Sequence, residues 1–108
     1  MSIRVLIVED EALIRWSLRK KFEERGYEVN EAETGDAAIQ LLNEGDFDLV
    51  MLDYQLPDMT GLDVLRRLRE RDADAVAIMM TAYSTIKTAV DAVRLGAFDY
   101  LAKPFQMD

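Results

Sequence analysis

The sequence predicts an α/β fold, a parallel β-sheet covered by helices. Short apolar runs alternate with longer segments whose apolar residues recur every three or four positions, in the order β-α-β-α-β-α-β-α-β. Alternation at this spacing builds a parallel sheet through right-handed crossovers. The runs at 49–52 and 75–80 are apolar without interruption, as strands buried on both faces are. No internal repeat, linker or low-complexity stretch breaks the pattern, and 108 residues, 50% of them hydrophobic, suit one domain with a core of its own.

The first strand is predicted at 3–8 and the first helix at 12–24, where Ile14, Leu18 and Phe22 form an apolar stripe and Arg15, Arg19, Lys20 and Glu23 lie off it. Arg25 and Gly26 fit the helix end: a cation in the last turn, then a left-handed cap. Trp16, beside the stripe, is expected to pack on a neighbouring element. The second strand, 27–32, alternates Tyr27 and Val29 with Glu28 and Asn30, as an edge strand does. Thr34-Gly35-Asp36 opens a short helix to residue 43, carried by Ala38, Leu41 and Leu42 and ended by Gly45. The third strand closes at Asp53, followed by a loop with the turn signals Pro57-Asp58 and Gly61. A helix at 62–71 uses Leu62, Leu65 and Leu68; its arginine-rich side reads as a solvated face in so acidic a chain. The fourth strand, 75–80, runs into Thr81-Ala82. Ser84 is placed to cap a helix at 85–95 with the stripe Ile86, Ala89, Val90, Val93. The fifth strand, 98–102, ends in Lys103-Pro104.

Composition removes several chemistries. There is no histidine and no cysteine, so a histidine general base, a Ser-His triad, a thiolate nucleophile and a disulfide are excluded within this chain. The net charge of -8 disfavours direct nucleic-acid binding, which needs Lys and Arg against phosphates. No apolar run is long enough for a membrane span, and Met1-Ser2-Ile3-Arg4 leads straight into a strand without a signal-peptide core. A cytoplasmic location is expected.

Parallel strands end on one edge of the sheet, where open α/β sheets place their ligand crevice. The first strand delivers Glu9, Asp10 and Glu11 to that edge, the third Asp53, the fourth Thr81 and the fifth Lys103. A strand-end Asp can simply bond the next loop. Several carboxylates converging on one rim, however, repel and raise one another's pKa unless a cation sits among them. A hard divalent cation with oxygen ligands answers this, and Mg²⁺ is the usual one. Carboxylates, a hydroxyl and a lysine form a phosphoryl-transfer set. Asp53, central in the rim, is then the best nucleophile.

Val8-Glu9-Asp10-Glu11, Leu52-Asp53 with Pro57 and Gly61, Met80-Thr81-Ala82, and Gly96 through Phe105 with Lys103-Pro104 together resemble the receiver domain of two-component response regulators. The resemblance covers the whole chain in the family's order and spacing. The stretch from Thr81 to Phe105 also resembles receivers of the nitrogen-regulator type, which precede a sigma-54-activating ATPase domain. It implies a doubly wound, flavodoxin-like, five-stranded parallel sheet of order 2-1-3-4-5. It implies that Asp53 accepts a phosphoryl group from a sensor histidine kinase. Glu9 and Asp10 match the acidic pair that binds Mg²⁺, Asp10 being the usual direct ligand, while Asp53 and the backbone carbonyl of Gln55 complete the protein ligands. Thr81 and Lys103 match the hydroxyl and ammonium that hold the phosphoryl oxygens, and Ala82 leaves room for its N–H to do so. Thr81 and Tyr100 match the switch pair that remodels the helix-four/strand-five surface. Gln55 and Tyr83 occupy positions that tune phosphoryl lifetime and, being bulky, imply slow self-dephosphorylation. The Lys103–Pro104 bond is expected to be cis. The chain would be a phosphoacceptor regulatory domain rather than an enzyme, controlling an output domain absent from this chain, in transcription activation.

The resemblance further implies a fifth helix after Lys103-Pro104, for which residues 105–108 leave barely one turn. A truncated receiver, open to forming a homodimer through the uncovered face of helix one, is the expectation. The alternative is a Mg²⁺-dependent phosphatase of the haloacid-dehalogenase type, which also uses a strand-end Asp. Its motif needs a second Asp two positions on, where this chain has Gln55, and the chain is short for a substrate cap. A receiver-like module that signals without phosphorylation conflicts with the presence of Asp10, Asp53, Thr81 and Lys103. A flavodoxin-like cofactor binder would need a Gly-rich phosphate loop where Glu9-Asp10-Glu11 stands.

Overall fold

A computed structural model describes residues 2–81 and 86–103, with the backbone alone for 86, 88, 89, 99, 100 and 102. Among the described residues nine elements alternate: β1 (Arg4–Val8), α1 (Ala12–Glu24), β2 (Glu28–Ala32), α2 (Gly35–Glu44), β3 (Leu49–Asp53), α3 (Gly61–Arg71), β4 (Val76–Thr81), α4 (Ile86–Arg94) and β5 (Asp99–Ala102). The five strands form one parallel sheet of order β2-β1-β3-β4-β5. The doubly wound expectation therefore holds, and the predicted element boundaries fall within a residue or two of those observed.

Two apolar clusters cover the two faces of the sheet. One side gathers Leu6, Val8, Val50, Leu52, Ala77 and Met79 with Leu42 of α2 and Leu62, Leu65 and Leu68 of α3. The other gathers Val5, Ile7, Met51 and Met80 with Leu18 of α1, and Ile14 and Phe22 pack against it. Successive side chains of a strand face opposite sides, so the uninterrupted apolar strands supply both layers at once. The stripe expected of α1 is the one it buries.

Two expectations are corrected. Among the described residues Trp16 packs on no neighbouring element: it is 58% exposed, with the Lys20 ammonium 5.0 Å from its ring centroid. In α4, among the side chains described, Ala92 is buried whereas Val90 and Val93 are exposed; those of Ile86 and Ala89, the other half of the expected stripe, lie outside what is described. The Ser84 cap, the Lys103–Pro104 bond and the segment 104–108, with the expected stop before a fifth helix, lie outside the described residues.

Helix termini position the site. Gly26 and Gly96 take left-handed φ of 83° and 88° after α1 and α4, a conformation that costs glycine little. Gly61 has a different reason: a Cβ there would run into the backbone carbonyl of Asp53. The first turn of α3 thus sits directly on the end of the central strand.

Candidate functional site: the carboxyl rim of the sheet

β1 carries its ladder one residue beyond the strand, through a Glu9 N–H bond to the Ala32 carbonyl at 3.0 Å. The Glu9 side chain consequently points inward, with no solvent exposure, while Asp10 stands outside. Asp53, buried at the end of β3, and Thr81, buried at the end of β4, follow along the same edge. The Lys103 N–H bonds the Thr81 carbonyl at 2.7 Å, which brings the end of β5 alongside.

One carboxylate oxygen each from Glu9, Asp10 and Asp53 lies within 4.8 Å of the others. Lys103 enters this group: its ammonium forms a short contact with Glu9 Oε1 and lies 3.4 Å from Asp53 Oδ2. The Glu11 N–H donates to Glu9 Oε2 at 3.2 Å. Burial raises the Glu9 carboxyl to about 7, against the lowering effect of the bonds from Lys103 and Glu11, and the charge of Asp53 adds to the rise. The Lys103 ammonium is penalised by burial, but Glu9 and Asp53 outweigh that and hold its pKa above the ordinary value.

Outside this buried pair lies an open cavity of about 350 Å³ lined by Asp10, Glu11, Asp53, Gln55, Leu56, Pro57 and Lys103. The Gln55 N–H reaches Asp53 Oδ1 at 3.4 Å. The structure therefore brings Glu9, Asp10, Asp53, Gln55 and Lys103 together, with Thr81 at the adjacent strand end. Tyr100 lies in β5, paired with Met79 in register; its side chain, Ala82 and Tyr83 lie outside what is described.

Two contributors were not evident in the sequence. Arg15 reads there as part of the solvated side of α1, yet its guanidinium donates to the Glu9 carbonyl at 2.9 Å and pairs with Glu31 and Glu33 at 3.3 and 3.1 Å. It ties the acidic rim to β2 and the loop beyond. Asp58 reads as a turn former, yet its carboxylate reaches across to α2. An arginine so soon after an acidic strand end and a capped helix start were the available signals, but neither names its long-range partner.

Residues 5–108 match the family model described as the response regulator receiver domain. The chain belongs to that family. Among curated relatives of this receiver, the regulatory protein AtoC of Escherichia coli is 40% identical over 105 residues, covering 97% of this chain and 23% of AtoC. The chemotaxis protein CheY of Bacillus subtilis is 38% identical, covering 100% of this chain and 91% of CheY. The chain spans only 23% to 47% of the first four curated relatives it matches. Among solved structures, a CheY-like receiver domain protein from Methanospirillum hungatei superposes with a TM-score of 0.94 at 31% identity, covering 98% of this chain and 85% of that one. TrrA from Thermotoga maritima, solved in complex with Mg(2+)-BeF, gives 0.86 at 37% identity, covering 98% and 90%. The phosphatase alternative finds no support in these matches. Among the described residues no helix is long and apolar enough to cross a membrane.

Proposed function

We propose that this receiver is a phosphoacceptor signalling domain in which Asp53 takes a phosphoryl group from a sensor histidine kinase with the help of Mg²⁺. The observation that carries the reading is the convergence of Glu9, Asp10 and Asp53 within 4.8 Å of one another, with the Lys103 ammonium against Glu9 and Asp53. In the transfer, an oxygen–phosphorus bond forms at the Asp53 carboxylate as the phosphorus–nitrogen bond of a phosphohistidine breaks. The donors present fit a hard cation: carboxylate and carbonyl oxygens, with neither sulfur nor imidazole. Asp10, Asp53 and the Gln55 carbonyl would hold Mg²⁺ from the cavity side, with Glu9 behind them. When bound, it would neutralise charge on the phosphoryl oxygens. Lys103 supplies the fixed positive charge on the other flank, and the Thr81 hydroxyl donates to a phosphoryl oxygen. The Mg(2+)-BeF complex of TrrA, and a Burkholderia pseudomallei response regulator with a phosphorylated aspartic acid and a calcium ion, support this reading by similarity.

The readout would be the α4–β5 surface, coupled to the site through Thr81 and Tyr100. Val90, Val93 and Phe98 are exposed there, Phe98 at 75%, a supply of apolar contacts for an output domain. Relatives named as transcriptional regulatory proteins, DltR of Streptococcus agalactiae and ResD of Bacillus subtilis, favour transcriptional control, and with it a cytoplasmic location.

The test is incubation with acetyl phosphate at saturating Mg²⁺, followed by mass spectrometry. The wild-type chain should gain one phosphoryl group on Asp53. Asp53→Asn should gain none, and Asp58→Asn should still be labelled. A label on another residue, or one that forms equally in excess chelator, overturns the assignment.

A further inference from the structure

The outer wall of the cavity is the loop 54–60, and this loop is fastened to a helix that contributes nothing else to the site. The Gly35 N–H donates to Asp58 Oδ1 at 2.8 Å and the Asp36 N–H to Oδ2 at 2.9 Å. The next two amides of α2 are taken by Thr34, Ala37 N–H by its hydroxyl and Ala38 N–H by its carbonyl, each at 3.1 Å. The Ala38 bond is the helix's first regular one; of the amides ahead of it, which lack intrahelical partners, those of Gly35 and Asp36 are satisfied from a different loop. Met59 adds a steric key, since a Cβ on Gly35 would collide with its Cγ and Sδ. The loop then closes on itself. The Leu56 N–H bonds the Met59 carbonyl at 3.1 Å, the Gly61 N–H the Tyr54 carbonyl at 2.5 Å, and Gln55 bridges Thr60. Leu56 is buried in the core, and Gln55, Leu56 and Pro57 face the cavity beside Asp53 and Asp10.

We propose that Asp58 is a positioning residue: by bonding the two leading amides of α2 it fixes the 54–60 loop, and so sets where the Gln55 backbone stands when a divalent cation meets Asp10 and Asp53. The inference rests on the metal reading given above. A carboxylate suits the task because charge strengthens both bonds and matches the positive end of the helix dipole. The Asp36 and Gly35 amides in turn hold the Asp58 carboxyl below its ordinary pKa. An asparagine would keep one acceptor oxygen and lose the charge.

The experiment is calorimetric titration of Mg²⁺ alone into the whole chain, with amide hydrogen exchange on the metal-free protein. Outer-shell partners of a metal site are worth roughly tenfold or more in affinity. Asp58→Ala should weaken Mg²⁺ binding by about that factor and accelerate exchange at Leu56 and Gly61 together with Gly35 and Asp36. Asp58→Asn should recover part of both, and it carries the test if the alanine variant fails to fold. Thr34→Ala weakens the same helix start without touching the loop and should leave Mg²⁺ affinity at the wild-type value. If Asp58→Ala binds Mg²⁺ as wild type does with Leu56 and Gly61 unchanged, Asp58 is a helix cap alone and the proposal is overturned. An equal loss of affinity in Thr34→Ala overturns it too. A wild-type chain that takes up no Mg²⁺ defeats the metal reading separately, and exchange at Leu56 and Gly61 then decides whether Asp58 holds the loop.

Discussion

Glu9 is the rim carboxylate that solvent does not reach, and its burial has a consequence for pH. Its carboxyl is raised to about 7 from an ordinary 4.5, first by burial and then by the nearby Asp53. Between those two values the folded, metal-free chain holds a proton that the unfolded chain has lost. The contribution to stability is therefore complete below 4.5 and is lost as pH rises through about 7. Urea unfolding in chelator should show the midpoint falling from pH 5 to pH 7.5, and Glu9→Gln should flatten that slope; a wild-type profile already flat there would contradict the assignment. Asp58 acts with the opposite sign and in another window. Its lowered carboxyl stabilises the fold above the ordinary 3.8 and ceases to as pH falls further. That Glu9, Asp10, Asp53, Thr81 and Lys103 meet at one edge could be read from the sequence, because each ends a strand of a parallel sheet. Which acid lies inside could not. It follows from the one extra ladder bond to Ala32 that turns Glu9 inward and leaves Asp10 out, and from a lysine long-range in sequence that accompanies it.

Helices α1, α2 and α3 bury the large residues their periodicity singles out, Leu18, Leu42, Leu62, Leu65 and Leu68. In α4 the side chains of Ile86 and Ala89 lie outside what is described, and two apolar sets overlap among the rest. Val90 and Val93 weigh more in hydropathy, yet the small Ala92 is the one with no exposure, and Leu95 and Ala97 pack against the core beyond it. Side-chain volume decides such a case, and hydropathy patterning does not contain it. The contrast is measurable by urea unfolding. Val93→Ser, at a position 63% exposed, should change stability by no more than about 0.5 kcal/mol. Ala92→Leu, at a position with no exposure, should cost about 1–3 kcal/mol by overpacking. If Val93→Ser proves the more damaging, the helix is turned the other way. Trp16 makes the same point on α1: among the described residues its ring meets the Lys20 ammonium rather than another element, an i, i+4 contact.

Across the whole molecule, the site draws on every strand except the edge strand β2. Two buried carboxylates share one lysine, so once Glu9 loses its proton, above pH about 7, the metal-free fold carries an excess of negative charge at its rim. Asp53→Ala leaves Lys103 and Glu9 as a one-to-one pair and should raise the melting temperature in chelator. The same variant should lose the response to Mg²⁺, which in the wild type should amount to about 2.7 kcal/mol at a hundredfold excess over the dissociation constant. Equal melting of the wild type in chelator and in excess Mg²⁺ would count against the site. The pairing of Lys103 with Glu9 spans 94 positions, and this bears on how the protein is made. A chain leaving the ribosome presents the acids of β1 and β3 long before Lys103, the cation that pairs with Glu9 and Asp53, has been synthesised. Until residue 103 emerges, the rim must stay hydrated or protonated, so the inner end of the sheet closes last. A stalled nascent chain with β1 to β4 exposed and Lys103 still in the exit tunnel should resist protease better at pH 5 than at pH 7.5. Once the lysine is out, that difference should shrink.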